Sequence, residues 1–262
     1  MTILTRRSLL TTGLGVGASG LLLSGCDKLS NSMGANELIG SAQRATYGWQ
    51  RLIGGQTLAQ EFGAADVSPD FKANGSTDPR DDAYRRHADE GFENWRLKID
   101  GLVARPLSLS LDDLRRLPAR TQITRHDCVE GWSAIGQWTG PQLGPLLKAA
   151  GLLPAVKYIV FHCADTYGGA MSKGGAQSTG RYYESIDLND AFHPQTIVAH
   201  TMRGAPLTIA HGAPLRMRIE RQLGYKHAKY VERIEAVDSF ARMELGQGGY
   251  WEDRGYEWYA GI

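Results

Sequence analysis

The stretch TRHDCVEGWSAIGQWTG, residues 124–140, sets a lone cysteine among charged residues and follows it with a Gly-Trp pair. The run TQITRHDCV (121–129) that leads into it reads as a strand up to Cys128. A core thiol sits in an apolar run, yet Cys128 is flanked by Arg125, His126, Asp127 and Glu130. Three other readings stand beside that one. A zinc site drawn from His126, Cys128, His162 and Cys163 has spacings that fit no familiar zinc pattern. A nucleophile needs a base, and seven histidines offer candidates without singling one out. A Cys128–Cys163 disulfide is open to a chain that folds in an oxidising compartment. From these residues alone the thiol is chemically suggestive and its role stays open.

Working outward, the chain has 262 residues, 42% of them hydrophobic and 22% charged, which is ordinary globular composition. The net charge of +1 offers no polybasic face for nucleic acid. No solenoid or propeller period is visible. The amino terminus is more specific. Arg6-Arg7 precede an apolar stretch from Leu9 to Gly25 that is rich in Gly, Ser and Thr. That stretch is too weakly apolar for a membrane span, which takes about 20 apolar residues. It reads as a twin-arginine export signal over residues 1–25. Leu23-Ser24-Gly25-Cys26 resembles a lipoprotein box in which Cys26 becomes the lipidated first residue, tethering the protein to a membrane on the periplasmic side. With Cys26 lipidated, two thiols remain, which is what keeps the disulfide in play.

Residues 26–66 read as a tether with short helices, and 67–87 as a Pro/Gly/Asn loop. NWRLKIDGLV (94–103) alternates apolar and polar residues and predicts a half-buried strand closed by Gly101. SLSLDDLRRLP (108–118) predicts a short helix capped by Ser110 and ended by Pro118. GPQLGPLLKAAG (140–151) predicts a helix with Pro141 near its first turn and Gly151 as its stop. VKYIVFHCA (156–164) is β-branched and aromatic, a strand buried on both faces, and TIVAHTM, LRMRIE and YVERIEAV add further strands. Short helices among many strands, with no strict βαβ rhythm and no Gly-x-Gly-x-x-Gly after a strand, predict a mixed, strand-rich α+β domain over 67–262.

Taken with its flanks, TRHDCVEGWSAIGQWTG resembles the cofactor segment of the sulfite-oxidase superfamily of molybdenum enzymes. It is most similar to the bacterial branch of methionine-sulfoxide reductase catalytic subunits, with its Arg-x-x-Cys-Val-Glu-Gly-Trp pattern. A second block, HGAPLRMRIERQLGYKHAKYVERI (211–234), resembles the family's [His/Asn]-Gly-x-Pro-x-Arg segment and the Gly-x-Lys-x-x-Lys run after it. Two blocks in the right order carry far more than one short pattern.

The resemblance implies a Mo-molybdopterin cofactor with Cys128 as the protein's one ligand to molybdenum. A single soft thiolate explains a solitary cysteine, since the dithiolene supplies the other sulfurs. It implies that Arg216 binds the cofactor phosphate with a forked guanidinium, and that His227, Ala228 and Lys229 contribute backbone and ammonium contacts. His211 matches the histidine of the sulfite-oxidase pattern, where the reductase branch has Asn. Lys72 and Asn74 lie where that branch has a loop touching the cofactor, and Cys163 lies where it has a cofactor-contacting Thr. Without the resemblance, Arg216 and Lys229 fit solvated strand faces and His211 a turn cap. Trp132 and Trp138 are candidate pocket walls.

The stretch after residue 240 is too short for the Ig-like dimerisation domain of sulfite oxidases, whose substrate-binding arginine is then missing. No Cys-x-x-Cys-His haem attachment is present, so the expected redox partner is separate, a membrane cytochrome b-type subunit. The expected reaction is two-electron oxygen-atom transfer on a small substrate, reduction of an S- or N-oxide, with sulfite-type oxidation as the alternative. A third reading from another class is a non-catalytic ligand-binding lipoprotein held by a Cys128–Cys163 disulfide. The tail GGYWEDRGYEWYAGI (248–262) fits a cover over the cofactor, a docking patch or simple chain-end packing.

Overall fold

The computed structural model describes residues 33–54, 57–169 and 177–262. The expected export signal, with Arg6-Arg7 and the Cys26 lipobox, lies outside the described residues. Two compact units divide at Gly55/Gln56. In the first, the described residues form one 22-residue helix, α1 (Met33–Gly54), where the sequence suggested shorter pieces. Its Trp49 and Leu52 are exposed.

The second unit opens with a surprise for the sequence reading. Helix α2 (Asp82–Asp89) replaces part of the expected loop. It is polar on nearly every side and buries only Tyr84, so there was no apolar period to read. Its one local signal is Asp81, whose carboxylate accepts from the Tyr84 amide at 2.9 Å. Strands β1 (Arg96–Gly101) and β2 (Leu107–Ser110) follow, then α3 (Leu111–Arg116), opened by the expected cap. Ser110 Oγ accepts from the Asp113 amide at 3.0 Å while Asp113 accepts from the Ser110 amide at 2.9 Å. Next come β3 (Ala119–Cys128), β4 (Trp132–Pro141), α4 (Leu143–Ala150) and β5 (Tyr158–Thr166). Gly151 ends α4 in a left-handed conformation, as expected, but Pro145 and not Pro141 lies in its first turn because β4 runs through Pro141. The remaining elements are β6 (Arg181–Asp187), α5 (Leu188–Ala191), β7 (Ile197–Ala199), β8 (Thr201–Met202), β9 (Ala205–Pro206), β10 (Arg216–Arg218) and β11 (Val231–Val237). TIVAHTM thus splits in two at His200, and β4 and β6 are strands the sequence reading did not single out.

The fold is mixed α+β and strand-rich, and no Ig-like sandwich is present among the described residues. The main sheet has the order β2-β1-β11-β5-β6, with β1 and β11 parallel and the other neighbours antiparallel. Leu97 and Ile99 of β1, Ile159 and Phe161 of β5 and Ile234 of β11 are fully buried, together with Leu143 and Leu147 of α4. Each such side chain contributes about 1.5–3 kcal/mol by leaving water. Strand β5 is buried on both faces, as its composition predicted. A second sheet, β3-β4-β8-β9, carries the Cys128 hairpin. Its register runs from Ala119↔Pro141 to Cys128↔Trp132, so the thiol occupies the last paired position before the turn. Gly131 closes that turn with φ +85°, a conformation that favours glycine, and its amide donates to the Cys128 carbonyl at 3.0 Å.

A candidate molybdopterin site at the Cys128 turn

Cys128 lies at the rim of a cavity of about 150 Å³. Its neighbours come from separate parts of the chain: Asn74 and Gly75 from a loop, Asp165 and Tyr167 from the end of β5, and Tyr182 from β6. Tyr225, His227 and Lys229 come from the run before β11, and Trp251 and Tyr256 from the tail. Cys128 is half-buried, and burial pushes its thiol up, partly offset by the Glu130 backbone amide. Among the described residues no group of three or more His, Cys, Asp or Glu gathers to hold a metal. One thiolate is what this protein offers.

Two buried cations beside this lining, Arg216 and Lys229, make their hydrogen bonds to backbone carbonyls and not to a carboxylate. Arg216 is fully buried; Nη1 donates to the His211 carbonyl at 3.1 Å, while Nε and Nη2 have no partner. Burial and the neighbouring Arg218 push its guanidinium down from its ordinary value. Lys229 bridges to Arg216 across the backbone, is 5% exposed, and its ammonium donates to the Ser76 and Ala210 carbonyls. Burial and Arg216 push it down to about 7. Neither residue sits on a solvated strand face, so that alternative fails. His227 is buried and its Nδ1 has no partner. His126 stands 5.1 Å from it, ring centroid to ring centroid, and burial with Arg218 holds both imidazoles neutral. Gly224 runs so close that a Cβ there would come within 2.5 Å of His126 Nε2. The two partnerless donors of buried Arg216 fit an anionic phosphate, and the solitary thiol fits a metal whose other sulfurs arrive with a cofactor.

The structure gathers Asn74, Cys128, His227 and Lys229 around one cavity; Arg216 is not in its lining but is the backbone bridge partner of Lys229. Other expected residues stand apart from its lining. Lys72 is exposed and pairs with Glu130 at the rim, 3.3 Å away, a surface contact of small worth. Ala228 is buried in the core, its carbonyl accepting from the Met217 amide. His211 Nε2 pairs with the Phe71 carbonyl at 2.9 Å and faces a separate surface groove. Cys163 is buried in β5 beside Val231 of β11, and both it and Cys128 are free thiols. The disulfide reading is therefore corrected: the cysteines belong to different sheets and are not bonded. Of the two readings open for the tryptophans, pocket walls or core packing, packing is what the structure shows, and neither lines the cavity. Trp138 is wholly buried under the guanidiniums of Arg216 (4.7 Å) and Arg218 (4.6 Å), and Trp132 packs on Phe71.

Sequence reasoning missed Asp165, Tyr167, Tyr182, Trp251 and Tyr256. The available signals were one acid closing an apolar strand and the aromatic density of the tail. Asp165 is 2% exposed, and burial raises its carboxyl to about 7 despite Lys229.

Comparison with known proteins agrees with the geometry. A protein of Azospira oryzae provisionally named protein-methionine-sulfoxide reductase subunit YedZ1 is 39% identical over 168 residues, 64% of this chain and 56% of that one. The protein-methionine-sulfoxide reductase catalytic subunit MsrP of Xanthomonas campestris is 34% identical over 148 residues, 55% of this chain and 45% of that one. The chain spans about half the length of the curated relatives it matches. The crystal structure of sulfane dehydrogenase SoxCD from Paracoccus pantotrophus aligns with a TM-score of 0.47 at 23% identity, covering 56% of this chain and 39% of that one. The family model described as oxidoreductase molybdopterin binding domain matches residues 85–243, more than half of the chain. By that match, around the cavity just described, the chain belongs to the oxidoreductase molybdopterin binding domain family and is a molybdopterin-binding oxidoreductase.

Proposed function

We propose that the protein is an exported enzyme that reduces a small S- or N-oxide, with Cys128 as the protein's ligand to molybdenum. One observation carries the reading: a solitary thiol opens on a cavity whose wall residue Lys229 is bridged to Arg216, a buried guanidinium with two partnerless nitrogens. When bound, the cofactor supplies two electrons and accepts the substrate's oxygen. Arg216 and Lys229 hold the phosphate end, and Cys128 contributes one anionic sulfur, its proton lost on ligation. Reduction of an S-oxide consumes two protons and two electrons and releases a sulfide and water. Asp165, raised to about 7 on the cavity wall, is partly protonated at neutral pH and would be a proton donor to the departing oxygen. His126 and His227, kept neutral, add no charge that would repel the cationic cradle.

Export by the twin-arginine route rests on Arg6-Arg7 and the weakly apolar stretch after them, and membrane tethering rests on Cys26. Electrons then come from a membrane cytochrome b-type subunit, a reading supported by the subunit names of the relatives. The reductase names of the relatives favour reduction over sulfite-type oxidation. His211, the residue that suggested oxidation, faces away from the cavity. The test is elemental and kinetic. Wild type is expected to carry about one molybdenum per chain and Cys128→Ser almost none, with dye-linked turnover of methionine sulfoxide or simple S- and N-oxides. Metal-free wild type, or turnover of sulfite alone, overturns the reading.

A further inference from the structure

The tail beyond residue 243 lies outside the family match, yet it reaches the cavity. Its anchor is a buried charged side chain. Glu252 is 3% exposed, and its Oε1 accepts from Lys226 Nζ at 2.5 Å. Lys226, itself fully buried, also donates to Glu184 Oε1 of β6 at 2.5 Å. Lys226 sits between Tyr225 and His227, both cavity residues, so one ammonium ties the tail to the cofactor-facing run. The tail enters this cluster at Gly249, where a Cβ would overlap both carboxylates. Isolated chain-end packing would not explain a buried cation shared by two acids; such a pair holds only when its geometry is fixed.

The clip presents a set of rings. Trp251 lies 5.3 Å from Tyr256, which meets Tyr225 edge-on at 5.3 Å. Arg254 covers Tyr250 at 3.4 Å and donates to the Gly168 carbonyl at 3.0 Å, closing the strap across the end of β5. Trp251 is half-buried and Tyr256 is 41% exposed, so this wall runs from the cavity to its mouth.

We propose that Trp251 and Tyr256 contact the substrate and set its size, and that the Glu184–Lys226–Glu252 cluster positions them. The inference rests on the S-oxide reading above and adds where specificity is decided: on a segment outside the matched family region, where loops differ most freely. The substrate it fits is a compact oxide whose alkyl groups lie on the indole and phenol faces, where sulfur–aromatic contact is favourable.

The test uses the molybdenum-loaded full chain with dimethyl sulfoxide and methyl phenyl sulfoxide as probes. Trp251→Ala and Tyr256→Ala are expected to move the ratio of kcat/KM toward the aryl probe by about tenfold, with KM rising and kcat held for the small one. Glu252→Ala is expected to reproduce that shift and Glu252→Gln, which still accepts from Lys226, to restore it. A second readout needs no turnover. Dimethyl sulfoxide titrated into oxidised protein is expected to quench indole fluorescence, and Trp251→Phe to remove the quench. Unchanged ratios in both aromatic variants overturn the inference. If the loaded protein turns over no sulfoxide, the reductase reading fails, and the titration alone decides the wall: quench lost with Trp251 supports it, no quench in wild type sinks it.

Discussion

Arg216 and Arg218 sit two residues apart on β10, both fully buried, both against the ring of Trp138. Their surroundings differ completely. Arg218 donates to both oxygens of buried Glu220 at 2.9 and 2.6 Å and meets His126 at 3.1 Å. Arg216 has one carbonyl and two idle nitrogens. Desolvating a charge is costly, so a cation with its counterion in place is a settled structural part, whereas one without it carries an uncompensated penalty. The same strand thus carries a finished ion pair and an unfinished one.

The strongest way to break this contrast is to remove each arginine in turn. Arg218→Met strands Glu220 in the interior and is expected to cost about 3–5 kcal/mol, read as a large fall in Tm or insoluble expression. Arg216→Met relieves an unpaired charge, so the cofactor-free protein is expected to keep its Tm or gain slightly. Its molybdenum content, however, should fall at least about tenfold, the value of one charge-assisted contact. Equal destabilisation by both would erase the distinction.

Asp165 tests the idea with the sign reversed, an acid buried without a full set of partners. Its folded carboxyl titrates near 7, above its ordinary 3.8. The stability it contributes is therefore complete below about pH 4 and lost as pH rises through 7, by a total on the order of 4 kcal/mol at most. Lys229 runs the other way, but only between about 7 and 10.5. Chemical denaturation of the cofactor-free protein from pH 4 to 7 is expected to show falling stability in wild type and a flatter profile in Asp165→Asn. Parallel profiles would refute the assignment. The smallest effect separates the thiols. Cys128 is expected to alkylate slowly in the native protein, faster toward alkaline pH because burial raises its pKa, and Cys163 only after unfolding.

How much of this could be read beforehand depends on distance along the chain. Cys128 and Arg216 could be singled out only because each sits in a compact block that resembles a family pattern; by residue type alone the thiol's role stayed open and Arg216 fitted a solvated strand face. The alternation of β1 and the Ser110 cap were legible from the residues themselves. Asp165 was not, since an acid at the end of an apolar strand looks like the strand's exit into solvent until β11 and the tail cover it. Trp251 gave composition but no address. Arg216 and Arg218 look alike in sequence; only the fold shows which one Glu220 neutralises. Helix α2 was invisible because a single tyrosine holds it down.

The parallel pairing of β1 with β11 has a consequence for how the molecule is made. Lys98 is register partner to Arg233, so the sheet closes only after nearly the whole domain has left the ribosome. Loop closure over that span is slow, and nothing local rewards it early. Tyr225, His227 and Lys229 stand just before β11 and Cys128 on another sheet, so the cavity they line is complete only when both are in place. A cavity lined from both sheets is therefore itself a record that the last long-range pairing has formed.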